Sequence, residues 1–464
     1  MKPRHLGGDD MAYERIPATN PPASVDVVRT VSAGHLAFVV GCVALVCWLS
    51  EWIGNATVPM GFTKVTLFPF LWALLICIAI SVLMKRSDRG DYAYLRLQTL
   101  ASDFVQLGIL LFIAKLGFIV GTNLQKVIDA GWVLLAQEVG NFVGTILLAM
   151  PIALILGIKR EAVGATFSVG REPGVALIAE RYGMDSPEGR GVLAEYVTGS
   201  VIGAAFMAVF ASMVAQTGLF SPTALGMAAG IGSGSMTAAA VGALSVQYAE
   251  QKEAIAALAA ASNLLTTVVG TYILVVFSLP FANWAYARLE PWLGKNRKAI
   301  IAEQDAAMKQ ALGEMHSQAR LPTWAAVSAV VLTSLISLIG NQIAGQSPLL
   351  DALPGMLVLV GCILIGMCLA RVAAALKIPT LIWVSIVGVV VSVPYSPLAS
   401  TLNPWVAKVG LLPLITPVLA YAGLSLAKDM PVLKALGWRI VVVSLIANAG
   451  AFLAGAFIAH VLGG

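Results

Sequence analysis

Long apolar blocks alternate with short polar joints along most of the chain. Blocks such as Leu36 to Leu49, Thr66 to Met84 and Ile440 to Leu462 run 14 to 23 residues, and the longer ones match the ~20 residues that cross a hydrocarbon core of ~30 Å. Reading the blocks against their joints predicts spans near 33–50, 62–84, 99–121, 131–157, 192–217, 254–284, 323–345, 352–376, 379–396, 409–427 and 437–462. Two further stretches, 162–187 and 223–249, carry too much Gly, Ser, Pro and charge to face lipid as ordinary helices. Each is read as a re-entrant helical hairpin. The expected fold is an all-α membrane protein of about eleven transmembrane helices plus these two hairpins.

Composition agrees with a bilayer as the solvent. Hydrophobic residues make up 58% of the chain and charged residues 11%, where a soluble domain carries roughly 25% charged. The net charge of +5 is spread over the joints, which suits topology signals better than a nucleic-acid footprint, so no nucleic-acid partner is expected. With the N-terminus in the cytosol, the inner joints hold the clusters Lys85, Arg86, Arg89, Arg96 and Lys159, Arg160, then Arg181 and Arg190 and the basic linker after Arg288. Outer joints keep Lys64, Lys126, Lys252 and Lys408. This alternation holds throughout only if the first hairpin enters from the cytosol and the second from outside. It predicts a multi-pass protein of a bacterial inner membrane, with Gly464 at the outer face.

The chain divides into a polar cytosolic tail (1–32), a first group of helices (33–98), helices with both hairpins (99–285), a cytosolic linker (286–322), a further group of helices (323–408) and a last helix pair (409–464). A weak internal repeat runs through this division. Leu116 to Gly157 reads as apolar span, polar turn, Gly131-Trp132 and apolar span, and Ala422 to Gly463 repeats the order with Gly437-Trp438. The copies start on opposite sides, as inverted-topology repeats require.

Non-helical backbone at membrane depth is tolerated only inside protein or against a water-filled cavity, so a Gly-rich break marks a cavity. The first break, Thr166 to Gly174, holds Ser168, Gly170, Arg171, Glu172 and Gly174. The second, Gly230 to Thr237, alternates Gly232, Ser233, Gly234 and Ser235 before the Thr237 hydroxyl. Both present helix N-termini that attract anions, and Arg171 adds a planar fork suited to a carboxylate. These ten residues are the expected substrate site, and a small organic anion the expected substrate. Arg171 and Glu172 pairing only with each other is the bland alternative. Among ionisable and polar groups at depth, Glu138, Asn141, Glu195 and Asn263 are ion-coupling candidates, because an intramembrane carboxylate is costly unless paired or solvated. Lys115 pairing with Glu138 as a structural bridge is an open alternative for that carboxylate.

Phe112 to Val214 resembles the first half of the glutamate:sodium symporter family, in the order span, turn, span, Gly-rich hairpin, then the exit Ala179-Glu-Arg-Tyr-Gly183 and another span. Ala229 to Leu279 is similar to that family's second hairpin and following span, and Ile378-Pro-Thr to Gly463 to its second scaffold unit. The whole chain also looks like a bacterial membrane family of unknown function. The symporter resemblance implies an elevator-type transporter, a dimeric scaffold and Na+ coupling. Two departures stand out: the first tip reads Gly170-Arg171-Glu172-Pro173 where that family is rich in Gly and His, and the second hairpin follows the first directly. Glutamate is therefore not carried over as substrate.

The competing classes are a membrane-embedded enzyme and a channel or holin-like export pore. Cys42, Cys47, Cys77, Cys362 and Cys368 include no Cys-x-x-Cys pair, and His5, His35, His316 and His460 are scattered, so no catalytic or metal cluster is expected and no cofactor beyond a coupling ion.

Overall fold

The computed structural model describes all residues except 1–32, 61–62, 88–92, 170–171, 185, 295–322, 377 and 464. The polar tail and most of the linker, 295–322, lie outside the described residues.

Helix α1 (Ala33–Ile53) leads into an antiparallel hairpin of β1 (Ala56–Met60) and β2 (Thr63–Leu67), with Ala56 opposite Leu67 and Met60 opposite Thr63. This hairpin departs from the all-helical expectation and moves the second span. Helix α2 is Pro69–Ser87 rather than 62–84, because Thr57, Val58, Val65 and Thr66 are β-branched and favour an extended chain, and Pro69 suits a first helical turn. There follow α3 (Ala93–Thr122), α4 (Leu124–Asp129) and α5 (Gly131–Ile155).

Both Gly-rich stretches are broken helix pairs. The first is α6 (Glu161–Thr166) with α7 (Glu172–Arg181), followed by α8 (Pro187–Thr198), a π turn at Gly199–Gly203 and α9 (Ala204–Gln216). The second is α10 (Pro222–Ala229) with α11 (Gly234–Gln247), followed by α12 (Lys252–Ile273), a π turn at Leu274–Ser278 and α13 (Leu279–Leu293). Ser-Pro steps start α8 and α10: Ser186 and Ser221 cap through their hydroxyls and the proline takes the first helical position, where no amide proton is needed. The C-terminal third holds α14 (Thr323–Ile343), α15 (Leu349–Val372), α16 (Thr380–Ser392), α17 (Ala399–Ala407) and α18 (Leu412–Gly463). Helix α18 turns at Gly437, whose φ of 76° lies in the left-handed region that glycine adopts without steric cost.

Among the described residues, eight helical segments are long and apolar enough to cross a membrane, or nine if α17 and Leu412–Lys428, bent by 61°, form one span. The chain is a multi-pass membrane protein. Of the remaining expected spans, 192–217 and 379–396 contain shorter apolar helices, Ala204–Gln216 and Thr380–Ser392.

Glycines set the closest helix crossings. A Cβ on Gly144 of α5 would lie 2.2 Å from the Gly450 carbonyl of α18, and one on Gly450 would lie 2.4 Å from the Gly144 carbonyl. At the spacing that carries Gly131 to Gly437, Gly144 falls on Gly450 and Gly117 on Gly423. Gly117 lets α3 approach the Ser385 carbonyl of α16, and Gly423 lets α18 approach the Leu74 carbonyl of α2. The main core gathers α3, α9 to α11, α16 and α18, and a second cluster packs α5 to α8 against α13 and the start of the Gly437–Gly463 limb.

Candidate functional site

The second break rests directly on α12. A Cβ on Gly230 would lie 2.3 Å from the Ala259 carbonyl and 2.5 Å from Ser262 Cβ, so only glycine permits this approach. Gly230 to Ser233 separate the two helices, and Asn263 of α12 reaches into that break: its Nδ2 donates to the carbonyls of Gly230 at 3.0 Å and Gly232 at 3.2 Å and to Thr237 Oγ1 at 2.9 Å. Ser233 caps α11, accepting from Met236 N at 3.5 Å, and its Oγ lies 3.2 Å from Ser235 Oγ. Gly234 faces α3, where an added Cβ would come within 3.2 Å of Ile109 Cγ1. Asn263, expected as an ion ligand, is here a brace of the break.

In the first break, Ser168 is buried and its Oγ has no partner among the described residues. Gly174 lets α7 pass it, since a Cβ there would sit 2.5 Å from Ser168 Oγ. Glu172 opens α7; its side chain, with Gly170 and Arg171, lies outside the described residues. The Phe167 carbonyl accepts from Ser278 Oγ at the end of the second π turn. One helical string, α12 through α13, thus ties both breaks, the second through Asn263 and the first through Ser278. Ser278 was not singled out in the sequence, although Pro280, which removes a helical amide two residues later, was the signal available. Replacing Ser278 by alanine would leave the buried Phe167 carbonyl unpaired. A loss of about 1–3 kcal/mol is expected, read as a lower melting temperature in detergent.

The ion-coupling candidates separate into two places. Glu138 of α5 is buried and accepts from Thr266 Oγ1 of α12 and, at 3.3 Å, from Asn141 Nδ2. One turn before Thr266 on α12, Ser262 Oγ accepts from Gln137 Nε2, so Gln137 and Glu138 meet the helix that carries Asn263. Glu195 is instead on α8, which packs against α6 and α18. It precedes by one turn the buried Thr198 and the first π turn. The alternative bridge from Lys115 to Glu138 gives way to another contact. Lys115 Nζ donates to the Val406 carbonyl at 2.7 Å, in the last turn of α17, where a cation suits the free carbonyl end of a helix.

Charges read as topology signals also anchor the start of the first pair. Arg160 donates to Glu188 Oε1 and, at 2.6 Å, to Asn283 Oδ1, and it stacks 5.3 Å from the Tyr286 ring, while Arg190 pairs with Glu161 at 3.1 Å. These contacts tie α6, α8 and α13 at the base of the pair.

The two breaks meet at a cavity of about 10 Å³, lined by Val169 of the first, by Ile231 and Gly232 of the second, and by Met236, Phe452 and Asn448 among others. That is space for the centre of about one water, and too little for an organic anion in this conformation. Asn448 of α18 was also missed in the sequence, where one amide in an apolar span carries no periodic signal. Among the described residues no group of three His, Cys, Asp or Glu is placed to hold a metal ion.

Residues 48–288, more than half of the chain, match DUF3100, described as a protein of unknown function. The chain belongs to this family. The DUF3100 segment runs from the end of α1 to α13 and takes in both breaks and the Asn263 and Ser278 braces, whereas α16 to α18, with Asn448, lie beyond it. No curated protein and no solved structure matches the chain.

Proposed function

We propose that the chain is a secondary active transporter that moves a small organic anion by an elevator form of alternating access. The observation that carries this reading is the meeting of two broken helix pairs at one buried cavity, both braced by a single helical string. Unwound backbone inside an apolar bundle is costly and is kept where it lines a binding site. The glycine crossings add support. Gly144 and Gly450 hold equivalent places in the two copies and touch each other, as residues beside a pseudo-twofold axis do. In this reading the broken pairs are re-entrant hairpins of an inverted-repeat protein in a bacterial inner membrane, working as a homodimer. Glu138 and Asn141, joined by a hydrogen bond, are then candidates for Na+ or H+ coupling.

Reconstituted vesicles test it. Saturable uptake of an organic anion that depends on an imposed Na+ or H+ gradient is the expected result. Rapid unselective leakage would instead favour a channel or holin-like pore. A cavity of about 10 Å³ suits a carrier better than a standing pore.

Arg171 is the cation expected to meet the substrate carboxylate. Arg171→Lys keeps the charge but loses the two-pronged fork, and should weaken apparent affinity about ten- to hundred-fold without unfolding the protein. If Arg171 serves only to pair Glu172, the double variant Arg171→Ala with Glu172→Ala would regain uptake, and the substrate role would fall.

A further inference from the structure

Asn448 is almost wholly buried, at 1% exposure, and neither its Nδ2 nor its Oδ1 has a hydrogen-bond partner among the described residues. A primary amide left unpaired at both ends is a cost that folded proteins rarely carry without a ligand or an ordered water to answer it. The amide lines the cavity where the two breaks meet, and the walls around it are apolar: Val169, Met207, Ile231, Met236 and Phe452. No neighbouring wall group competes for its hydrogen bonds. Gly232, also in the wall, leads into the N-terminus of α11. There the first amides of the helix have no partner within it, and Ser233 and Ser235 add hydroxyls.

We propose that this cavity is the subsite that reads a hydroxyl or carboxamide carried by the transported carboxylate, with Asn448 both donating to it and accepting from it. The inference rests on the anion-carrier reading above and narrows its substrate. The chemistry selects among polar groups. A hydroxyl or carboxamide can accept from Nδ2 and donate to Oδ1, a carboxylate has nothing to donate, an ammonium has nothing with which to accept, and an alkyl group strands both amide atoms. The size of the cavity agrees, since space for about one water is also space for the hydroxyl that replaces it. The carboxylate end then lies toward the start of α11.

The test uses the full-length protein in detergent and follows its melting temperature against matched pairs of acids: lactate and propanoate, malate and succinate, malonamate and propanoate. Binding to the folded state raises the melting temperature by mass action. In the wild type, the hydroxylated or amidated member of a pair should act at about tenfold lower concentration than its plain partner. Asn448→Leu replaces the unpaired amide with an apolar side chain of similar size, so it should melt at a higher temperature without ligand and lose the preference within each pair. If leucine does not fold there, Asn448→Ala removes the amide without bulk and should lose the same preference. Equal response of the wild type to both members of every pair would overturn the subsite and leave the anion reading standing. So would a variant that keeps the preference, or a leucine variant that folds but melts below the wild type, since the amide would then have a structural partner. A wild type that responds to no carboxylate overturns both readings.

Discussion

Gly144→Val or Gly450→Val should leave little folded protein to purify. The two glycines bring α5 and α18 so close that an added Cβ at either would lie 2.2 or 2.4 Å from the other's carbonyl oxygen, against a contact distance of about 3.4 Å. Gly140 is nearly as tight, with the Ala454 carbonyl 2.6 Å from its would-be Cβ. Backbone cannot swing aside as a side chain does, so the helices would have to part by more than about 1 Å along the whole crossing. In a bilayer no hydrophobic term drives them back, because lipid tails are as apolar as the helix faces, and close packing is what holds them. A loss of about 3 kcal/mol or more is expected, a large share of a total of about 5–15 kcal/mol. Size-exclusion profiles and melting curves of fluorescently tagged variants would measure it. Gly131, whose added Cβ meets nothing within 4 Å, is the control: Gly131→Ala should behave as wild type. Normal profiles for both valine variants would mean that the crossing is looser than drawn here.

Asn263→Leu should cost nearly as much by a different route. Its amide is the donor for two buried carbonyls and one buried hydroxyl of the second break, and the loss of a buried hydrogen bond costs about 1–3 kcal/mol. The break would rearrange, and both the melting temperature and any uptake should fall. Asn263→Asp separates bracing from bulk. An ionised aspartate offers only acceptors to the carbonyls of Gly230 and Gly232, whereas the protonated acid regains one O–H donor. The aspartate variant should therefore melt low at neutral pH and recover part of the difference as pH is lowered. A leucine variant that melts like the wild type would remove Asn263 from the brace.

The Gly-rich runs and the Gly131-Trp132 and Gly437-Trp438 pair pointed to breaks and repeats, and the details of partnering had to come from the fold. Glu138 and Asn141 were legible as companions because three residues on a helix share a face, and the structure joins them. Asn263 was legible as a polar group at depth but not as a brace, because its partners come from another element. Ser278 and Asn448 passed unnoticed, since a lone hydroxyl or amide in an apolar run looks the same whether it faces a carbonyl, a cavity or the helix's own backbone.

What the sequence determined by itself was where chain meets bilayer and where helix must break. Apolar block length is a one-dimensional quantity set by membrane thickness, and glycine, serine and proline act on the backbone dihedrals of their own positions. Eight of the eleven expected spans, present as long apolar helices among the described residues, both broken pairs and the turn at Gly437 follow from those local terms. Tertiary structure decided which polar groups meet, because the contacts join positions far apart in the chain: Asn263 to Gly230 across 33 residues, Phe167 to Ser278 across 111, Lys115 to Val406 across 291. In a low-dielectric interior every buried donor seeks the nearest acceptor in space, and only the packing of helices through their glycines fixes which acceptor that is.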